Sequence, residues 1–495
     1  MSEQWPGGLI TKTPVTPSGA YTSSTASGVW TLEEAYQWKG DGLWPIPGNI
    51  PNYYTLFGIQ SDAGYDNGTV TTDSSGNTYL GTYLDDAGTA YPSKDIVWVS
   101  KWGAGGSSPA WQRSAQDTGL SYARIHAIAV DSTADVIVLL NTYTASSYFS
   151  TLLKWDTDGV FQWGRKYGST ARHATAVSLG VDSSDNIYLL TQGTSAGYGA
   201  VGKWSSAGTS TLEYKFLGYG TTLDVAFCDL TVDSSDYVLI GAKAANSDGS
   251  GDDVGNLGRI TSAGVLDWSI QITQLQSGIK AVATDSSDNV YTSGESTSTF
   301  IPNISKFNSS GTRQWARKIE GSASGTVWTY GYPDSMAVDS SDNLYVQGHA
   351  DVNNTGSGGV SNQALVVFKY DSSGVLQWSR YIQANQTLNS SYWSISIEGT
   401  NYVLSSKANA QNSSSTQSSI FFNLPTDGSK TGTYTNTGYT PSFVIYYGVL
   451  DVAESEDTTS AVSTYSWTVS SEGLTEAATG MTSATGTLTW DNETL

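Results

Sequence analysis

The sequence predicts an all-β fold: a seven-bladed β-propeller of four-stranded antiparallel blades, with an N-terminal arm and a β-rich C-terminal tail. Three observations predict it. A short phrase, cleanest as V-D-S-S-D-N-I-Y-L-L from Val181 to Leu190, recurs along the 495 residues at a period of about fifty. Each copy is followed by a second phrase, cleanest as V-F-K-Y-D-S-S-G-V-L-Q-W-S-R from Val367 to Arg380. Aromatic residues reach 12%, with 17 Trp and 30 Tyr, while charged residues are only 14%. Disordered chains are poor in aromatics, so this composition belongs to a packed β protein.

The first phrase reads as strand, tight turn, strand. Asp, Ser and Asn bond their own backbone in turns, whereas Ile, Tyr and Leu favour strands. Copies begin at Thr72, Val130, Val181, Val232, Thr284 and Val338, and a worn one, I-E-G-T-N-Y-V-L, begins at Ile397. The second phrase supplies another hairpin. It is clear at Leu152–Arg165, Val201–Thr209, Ile304–Arg317 and Val367–Arg380. Blade one carries V-S-K-W and Trp111–Arg113, blade four L-G-R-I and L-D-W, and blade seven the weaker F-F-N-L-P-T-D-G-S-K. Each repeat is thus four strands, A to D, in a meander over residues 52–440. Nothing helical separates them, so neighbours run antiparallel. The pattern resembles the bacterial seven-bladed β-propeller repeat, a cousin of NHL-type propellers, and the resemblance covers nearly the whole middle of the chain.

Rings of this kind close by pairing the two chain ends in one blade, which removes exposed edges. Asn52–Gln60 sits where later repeats have a D strand, so it is expected to pair with blade seven, whose own D strand is poorest.

Residues 1–51 stand apart. Their Pro and Gly density forbids a long regular element, although Thr31 and Glu34 have capping-box spacing for one short helix over Leu32–Lys39. Trp5, Trp30, Trp38 and Trp44 are too many large apolar groups for a free linker, so the segment is expected to dock, on its own domain or on a partner. The wording P-G-G-L-I-T-K-T-P-V-T-P-S-G, then A-S-G-V-W-T-L-E-E-A and G-L-W-P, resembles the N-terminal segment of virion structural proteins of marine tailed phages, cyanophages among them. The resemblance covers about forty-five residues and carries no chemistry. It implies attachment to other virion proteins through an arm.

Residues 441–495 hold no Lys or Arg and are dominated by Ser and Thr. Tyr465, Trp467 and Val469 alternate as on a strand, as do Leu488 and Trp490. The expectation is an extended β tail that packs on the propeller or pairs with a neighbouring chain. Asp451, Glu454, Glu456 and Asp457 read as a solvated acidic face.

The net charge of −22 repels phosphate backbones and anionic lipid, which argues against nucleic acid and membrane surfaces as partners. No stretch is apolar enough to insert in a bilayer. The N-terminus has no basic patch followed by an apolar run, so no signal peptide is expected. Cys228, the only cysteine, reads as a buried small hydrophobe.

Motifs for catalysis are weak. His126, His173 and His349 lie in different blades without metal-type spacing. Gly193–Gly197 matches G-x-S-x-G, but Ser195 lacks the helix that a nucleophile elbow needs. The D-S-S-D-N turns faintly resemble calcium loops, yet lack their Gly and terminal Glu, so calcium is set aside and no cofactor is expected. Lys101, Lys154, Lys203, Arg259, Lys306 and Lys369 recur at one C-strand place, and Arg113, Arg165, Arg317 and Arg380 two after a D-strand Trp. Recurrence at a fixed repeat position argues structure, with each Arg beside its Trp.

Meander geometry puts the short A–B and C–D turns on one face of the disc and the longer B–C and D–A loops on the other. Gly81–Asp95, Gly241–Asn256 and Gly348–Asn362 read as long B–C loops, and Glu320–Asp334 as a long D–A loop. The last holds Trp328, Tyr330, Tyr332 and Asp334, rings and a carboxylate suited to stacking on sugars and bonding their hydroxyls. The expected function is a non-enzymatic virion protein in multiple copies, either a tail appendage or fibre-like adhesin or a capsid decoration, binding a host-surface glycan or protein. Two alternatives stand beside it: a carbohydrate-active enzyme or depolymerase with acidic residues in the channel, and a bacterial surface binding module.

Overall fold

The computed structural model describes residues 3–5, 8–10, 53–57, 68–84, 96–104, 109–116, 122–144, 147–167, 175–192, 198–217, 226–245, 253–273, 275, 278–295, 301–321, 327–353, 363–384, 394–409, 417–436, 443–450, 452–456, 462–464, 468–471, 476–478, 482–485 and 490–494. Among them every regular element is a strand. The expected helix at Leu32–Lys39 and the G-x-S-x-G match lie outside these residues.

Seven antiparallel meanders form the blades. Their A strands are Thr69–Thr72, Tyr122–Val130, Thr175–Val181, Ala226–Val232, Ile279–Thr284, Val327–Val338 and Ile395–Glu398. Each A strand packs on the A strands before and after it, and Ile395–Glu398 meets Thr69–Thr72 to close the ring. The A strands therefore line the axis. Seven apolar clusters fill the seven blade interfaces, from the blade one–two core around Tyr79, Ile125 and Trp155 to the closing core around Val70, Trp102 and Phe421. Strands buried on both faces explain the continuous apolar runs, such as Val136–Leu140.

The recurring charges pin the blades together. In blade three, Asp182 Oδ1 accepts from the backbone of Ser184 (3.0 Å) and Asn186 (2.8 Å), which closes the A–B turn. Its Oδ2 accepts from the Tyr188 hydroxyl (3.1 Å) and faces the Lys203 ammonium at 3.3 Å. Burial pushes this carboxyl up, but the Asn186 and Tyr188 bonds and the Lys203 charge outweigh it and hold it below the usual range. The same buried pair recurs as Lys154–Asp131 (2.7 Å), Arg259–Asp233 (2.7 Å) and Lys306–Asp285 (2.9 Å), and more loosely as Lys369–Asp339 (3.9 Å). Each cation also reaches the next blade, as Lys306 does to the Ser372 carbonyl (3.1 Å).

Two further links run around the ring. The fourth turn residue, Asp185, Asp236, Asp288 or Asp342, sits at a φ between 58° and 63°, a left-handed conformation that Asp tolerates. There it accepts from the backbone and hydroxyl of a Ser in the preceding blade, as Asp185 does from Ser132 at 2.8 and 2.9 Å. On the outer side each D-strand Trp donates to the next C–D turn, Trp163 Nε1 to the Ser206 carbonyl at 3.1 Å, and Arg165 Nε donates to the Gly208 carbonyl at 2.7 Å. Arg165 lies over the Trp163 ring at 5.6 Å, as expected from the spacing. Gly208 has φ +75°, and a Cβ there would meet Trp163 at 2.7 Å.

The closing strand is Tyr53–Phe57, which pairs with Gln417–Pro425 of blade seven in the D position. The tail does something the sequence left open. Phe443–Val449 adds a fifth strand to the outer edge of blade six, and Val452–Glu456 to blade five. Val462–Thr464, Thr468–Ser471, Glu476–Ala478 and Thr482–Thr485 do the same for blades four, three, two and one. Trp490–Thr494 ends on Tyr53–Phe57 in blade seven. The tail is a belt that runs backwards around the whole ring. Gly432–Asn436 pairs outside Phe443–Val449 and makes blade six six-stranded. Tyr465, Trp467 and Leu488 fall outside the described residues, whereas Val469 and Trp490 lie in belt strands.

Two outcomes follow. Lys154→Met leaves Asp131 buried without its cation and should cost about 3 kcal/mol; adding Asp131→Asn should recover part of that in urea unfolding. A chain ending at residue 440 uncovers the outer edges of the blades, and should show a lower urea midpoint and self-association by light scattering.

Candidate functional site

The expected D–A loop is mostly strand. Blade five's D strand runs to Gly321 and blade six's A strand begins at Val327, so only 322–326 connect them. The B–C loops shrink likewise, to 85–95, 246–252 and 354–362. Val327–Val338 pairs with Leu344–Asn353, and this hairpin outlasts the A–B pairs of its neighbours on the long-loop side. Trp328 pairs with Val352 and Tyr332 with His349, while Tyr330 is an extra residue in a β-bulge. The aromatic positions therefore stand on a raised hairpin beside the axis, not on a loop, and the bulge breaks their simple alternation. Of Trp328, Tyr330 and Tyr332 the structure describes the backbone. Trp5 lies in a small ladder of its own, Glu3–Trp5 with Gly8–Ile10. Trp30, Trp38 and Trp44 lie outside the described residues.

Asp334 is brought into a site. It too is the extra residue of a bulge, between Pro333 and Ser335. The same bulge interrupts the A strands of blades two to five, at His126, Val177, Cys228 and Lys280. Each lies five residues before its turn Asp, on the half of the A strand nearer the long-loop face. Ten residues after that Asp, the B strands place Asn141, Gln192, Lys243, Glu295 and His349 alongside. A fixed frame thus carries different chemistry in each blade. All five bulge residues are half-buried, so water reaches them although protein surrounds them on the axial wall.

Blades four to six concentrate the charge. Asp334 Oδ2 lies 2.6 Å from His349 Nδ1. Burial pushes the Asp334 carboxyl up, against the lowering effects of His349 and of the Lys280 charge. Cys228 is pushed up to about 11 by burial, with Lys280 and Lys243 acting the other way, so it stays a thiol and is no nucleophile. Beside it, Asp229 joins three blades. Its Oδ1 accepts from Ser178 Oγ of blade three (2.7 Å) and from the Leu230 backbone (2.8 Å), and its Oδ2 from the Val282 backbone of blade five (2.8 Å). Burial raises this carboxyl to about 6, and those bonds hold it down only in part.

His126 behaves differently. Burial, with the Arg124 charge, pushes it down to about 4, so it is a neutral imidazole. It bonds Asn141 Nδ2 at 2.6 Å, and Asn141 Oδ1 accepts from the Ala176 backbone of blade three. That chain is structural. His173 lies outside the described residues. The turn carboxylates have their oxygens occupied by backbone, hydroxyl and cation donors. Among the described residues no cluster of three or more His, Cys, Asp or Glu could hold a metal.

The sequence hid this row. A bulge is a one-residue mismatch between two strands, visible only in register. The available signal was the offset itself: five before the turn Asp, the repeats show Gly68, His126, Val177, Cys228, Lys280 and Asp334, a column without a consensus.

Asp229 gives a pH test with a definite sign. Its folded value, about 6, exceeds the ordinary 3.8. The proton therefore binds the folded chain more tightly, so this stabilisation is full below 3.8 and lost as pH rises through 6. The melting-temperature gap between the native chain and Asp229→Asn should shift in favour of the native chain between about pH 7 and about pH 4. The shift should correspond to roughly 1 kcal/mol once the water that reaches the group is discounted.

No family model and no curated protein matches the chain. Among solved structures it is similar to the polysaccharide lyase Uly1, at 8% identity over 77% of this chain and 98% of that one, with a TM-score of 0.45. It is similar to an ulvan lyase of a new polysaccharide lyase family, at 8% identity over 75% and 96%, with a TM-score of 0.46. It is also similar to a protein of unknown function from Bacteroides caccae, at 10% identity over 66% and 93%, with a TM-score of 0.37. At these identities the likeness concerns the fold alone.

Proposed function

We propose that the chain is a non-enzymatic structural protein of a phage virion, which attaches through residues 1–51 and displays the long-loop face of its propeller to a host-surface glycan or protein. The observation that carries the proposal is that residues 53–494 close and strap the ring by themselves. On this reading Trp5, Trp30, Trp38 and Trp44 of the arm serve a contact with other virion proteins. The arm enters the ring at blade seven, beside the last belt strand. The wording of the arm, which resembles that of marine phage virion proteins, supports the same reading. The regular face is occupied by blade-to-blade bonds, and among the described residues the axial wall carries chemistry that differs between blades. Copies held side by side on a particle need covered strand edges, and the belt covers the outer edges of the original blades.

A second reading, a carbohydrate-active enzyme, draws on one observation, the Asp334–His349 pair. A carboxylate on one imidazole nitrogen is how a histidine is oriented as a base. Cleavage of a host polysaccharide by the purified chain, lost in His349→Ala, would favour it.

Deleting residues 1–51 tests the first reading. The shortened chain should keep its melting temperature yet be absent from purified particles, while antibody against the propeller labels particles carrying the full chain. Incorporation of the shortened chain at the normal level would sink the proposal.

A further inference from the structure

Covering one set of strand edges creates another. The outermost strands of blades one to four are Thr482–Thr485, Glu476–Ala478, Thr468–Ser471 and Val462–Thr464. At three or four residues they are too short to hold a partner strand. Three outer edges of five residues remain: Val452–Glu456 on blade five, Gly432–Asn436 on blade six and Trp490–Thr494 on blade seven.

These three differ in what a second copy of the chain meets. The simplest partner for an edge is the same edge of another copy, antiparallel across a two-fold axis. Paired in this way about its centre, Val452–Glu456 sets Glu454 opposite Glu454, and Trp490–Thr494 sets Asp491 opposite Glu493. Like charges directly opposite destabilise a strand pair, so both edges are guarded. Gly432–Asn436 reads G-T-Y-T-N, with no charge and no Pro. About its centre Thr433 falls opposite Thr435 and Tyr434 opposite Tyr434. Thr–Thr and aromatic pairs are among those that stabilise sheets.

The position of this strand is as particular as its sequence. It follows the C strand of blade seven, where a D strand is due, but Tyr53–Phe57 holds that place. The chain leaves blade seven through Gly432, whose φ of +123° suits glycine. It then runs along Phe443–Val449 with Gly432 opposite Tyr447 and Asn436 opposite Phe443. Thr431, Gly432 and Thr433 are exposed, and among the described residues no strand lies outside this one. Blade six is six-stranded where the others are five-stranded, so it reaches furthest from the axis. Two discs can meet there without bringing their other rims together.

We propose that Gly432–Asn436 is the docking edge for a second copy of this chain, paired strand to strand across a two-fold axis. One sheet then runs from the axis of one disc to the axis of the other. With −22 on each chain, two copies repel, and a protruding edge without charge is where they can approach. The contact belongs to the propeller and is independent of residues 1–51.

Sedimentation of the full chain tests it. The native chain should pass reversibly from monomer to dimer as its concentration rises to about 100 µM, as suits an interface below about 1,200 Å². Thr433→Glu with Thr435→Glu, and separately Thr433→Lys with Thr435→Lys, should each weaken the dimer about tenfold at an unchanged melting temperature. An equimolar mixture of the two variants should restore it, because opposite charges then face each other. A native chain that stays monomeric at about 100 µM, a dimer indifferent to both variants, or a mixture no tighter than its components overturns the proposal. A Lys variant that associates more tightly by itself assigns the contact to an acidic edge of another blade, and overturns it too. A dimer lost on deleting residues 1–51 assigns the contact to the arm, with the same result.

Discussion

A cation buried between two turns is the constraint from which the rest of the ring follows. In blades two to six, a C-strand Lys or Arg sits between the A–B turn Asp of its own blade and the C–D turn of the next. Two charges taken out of water cost several kcal/mol each unless their geometry is good and their remaining valences are met. Here they are met: the Asp holds its turn by two backbone bonds, and in blades three, five and six a Tyr hydroxyl completes it and the cation lies over that ring, at 4.8 Å for Lys203 on Tyr188. One ion pair therefore fixes the turn, the strand pairing and the angle to the next blade. Blade seven shows what happens without it. Asn423 stands in the Lys place and bonds Asn401, a neutral amide pair. That blade closes instead through a strand from the other end of the chain, and its phrase is worn because the pair that keeps the phrase in shape is absent.

Much of this was legible in the sequence. The D-S-S-D-N turn is local chemistry, so it survives in every copy that needs it. The Trp-x-Arg spacing is a statement about one strand face. Tyr53–Phe57 is legible because Asn52–Gln60 sits where later repeats have a D strand and blade seven's own D strand is the poorest. What escaped was of two kinds. Belt strands of three to seven residues, such as Val462–Thr464, are held by backbone ladders along edges already built, and a backbone ladder leaves little trace in Ser- and Thr-rich sequence. The bulges escaped because Cys228, Lys280 and Asp334 look like unrelated residues until two strands are set side by side. The aromatic cluster at Trp328 reads as loop because it lies in the long irregular connection Glu320–Asp334 between two repeats; the ladder with Leu344–Asn353 makes most of it strand.

Frame and chemistry divide the repeat between them. Columns that recur, the turn Asp, the C-strand cation and the D-strand Trp, are used up in joining blades. The bulge column, which recurs in backbone geometry and not in side chain, is where the fold leaves freedom. A bulge re-aims its residue out of the packed register and onto the axial wall, and it relieves that residue of a core role. His126 has been drawn back into structure through Asn141, while Lys280 has not. One repeat thus gives a rigid disc with a set of independent positions on its inner rim.

The meeting of both chain ends in blade seven sets how the molecule responds to force. Tyr53–Phe57 is flanked on both sides, by Gln417–Pro425 and by Trp490–Thr494. A pull on the arm along the strand axis loads both ladders in shear, with all their bonds stretched together. A pull on the C-terminus instead opens belt ladders a few residues long, one blade after another. The chain resists from the end that would be tethered and yields gradually from the end that would not.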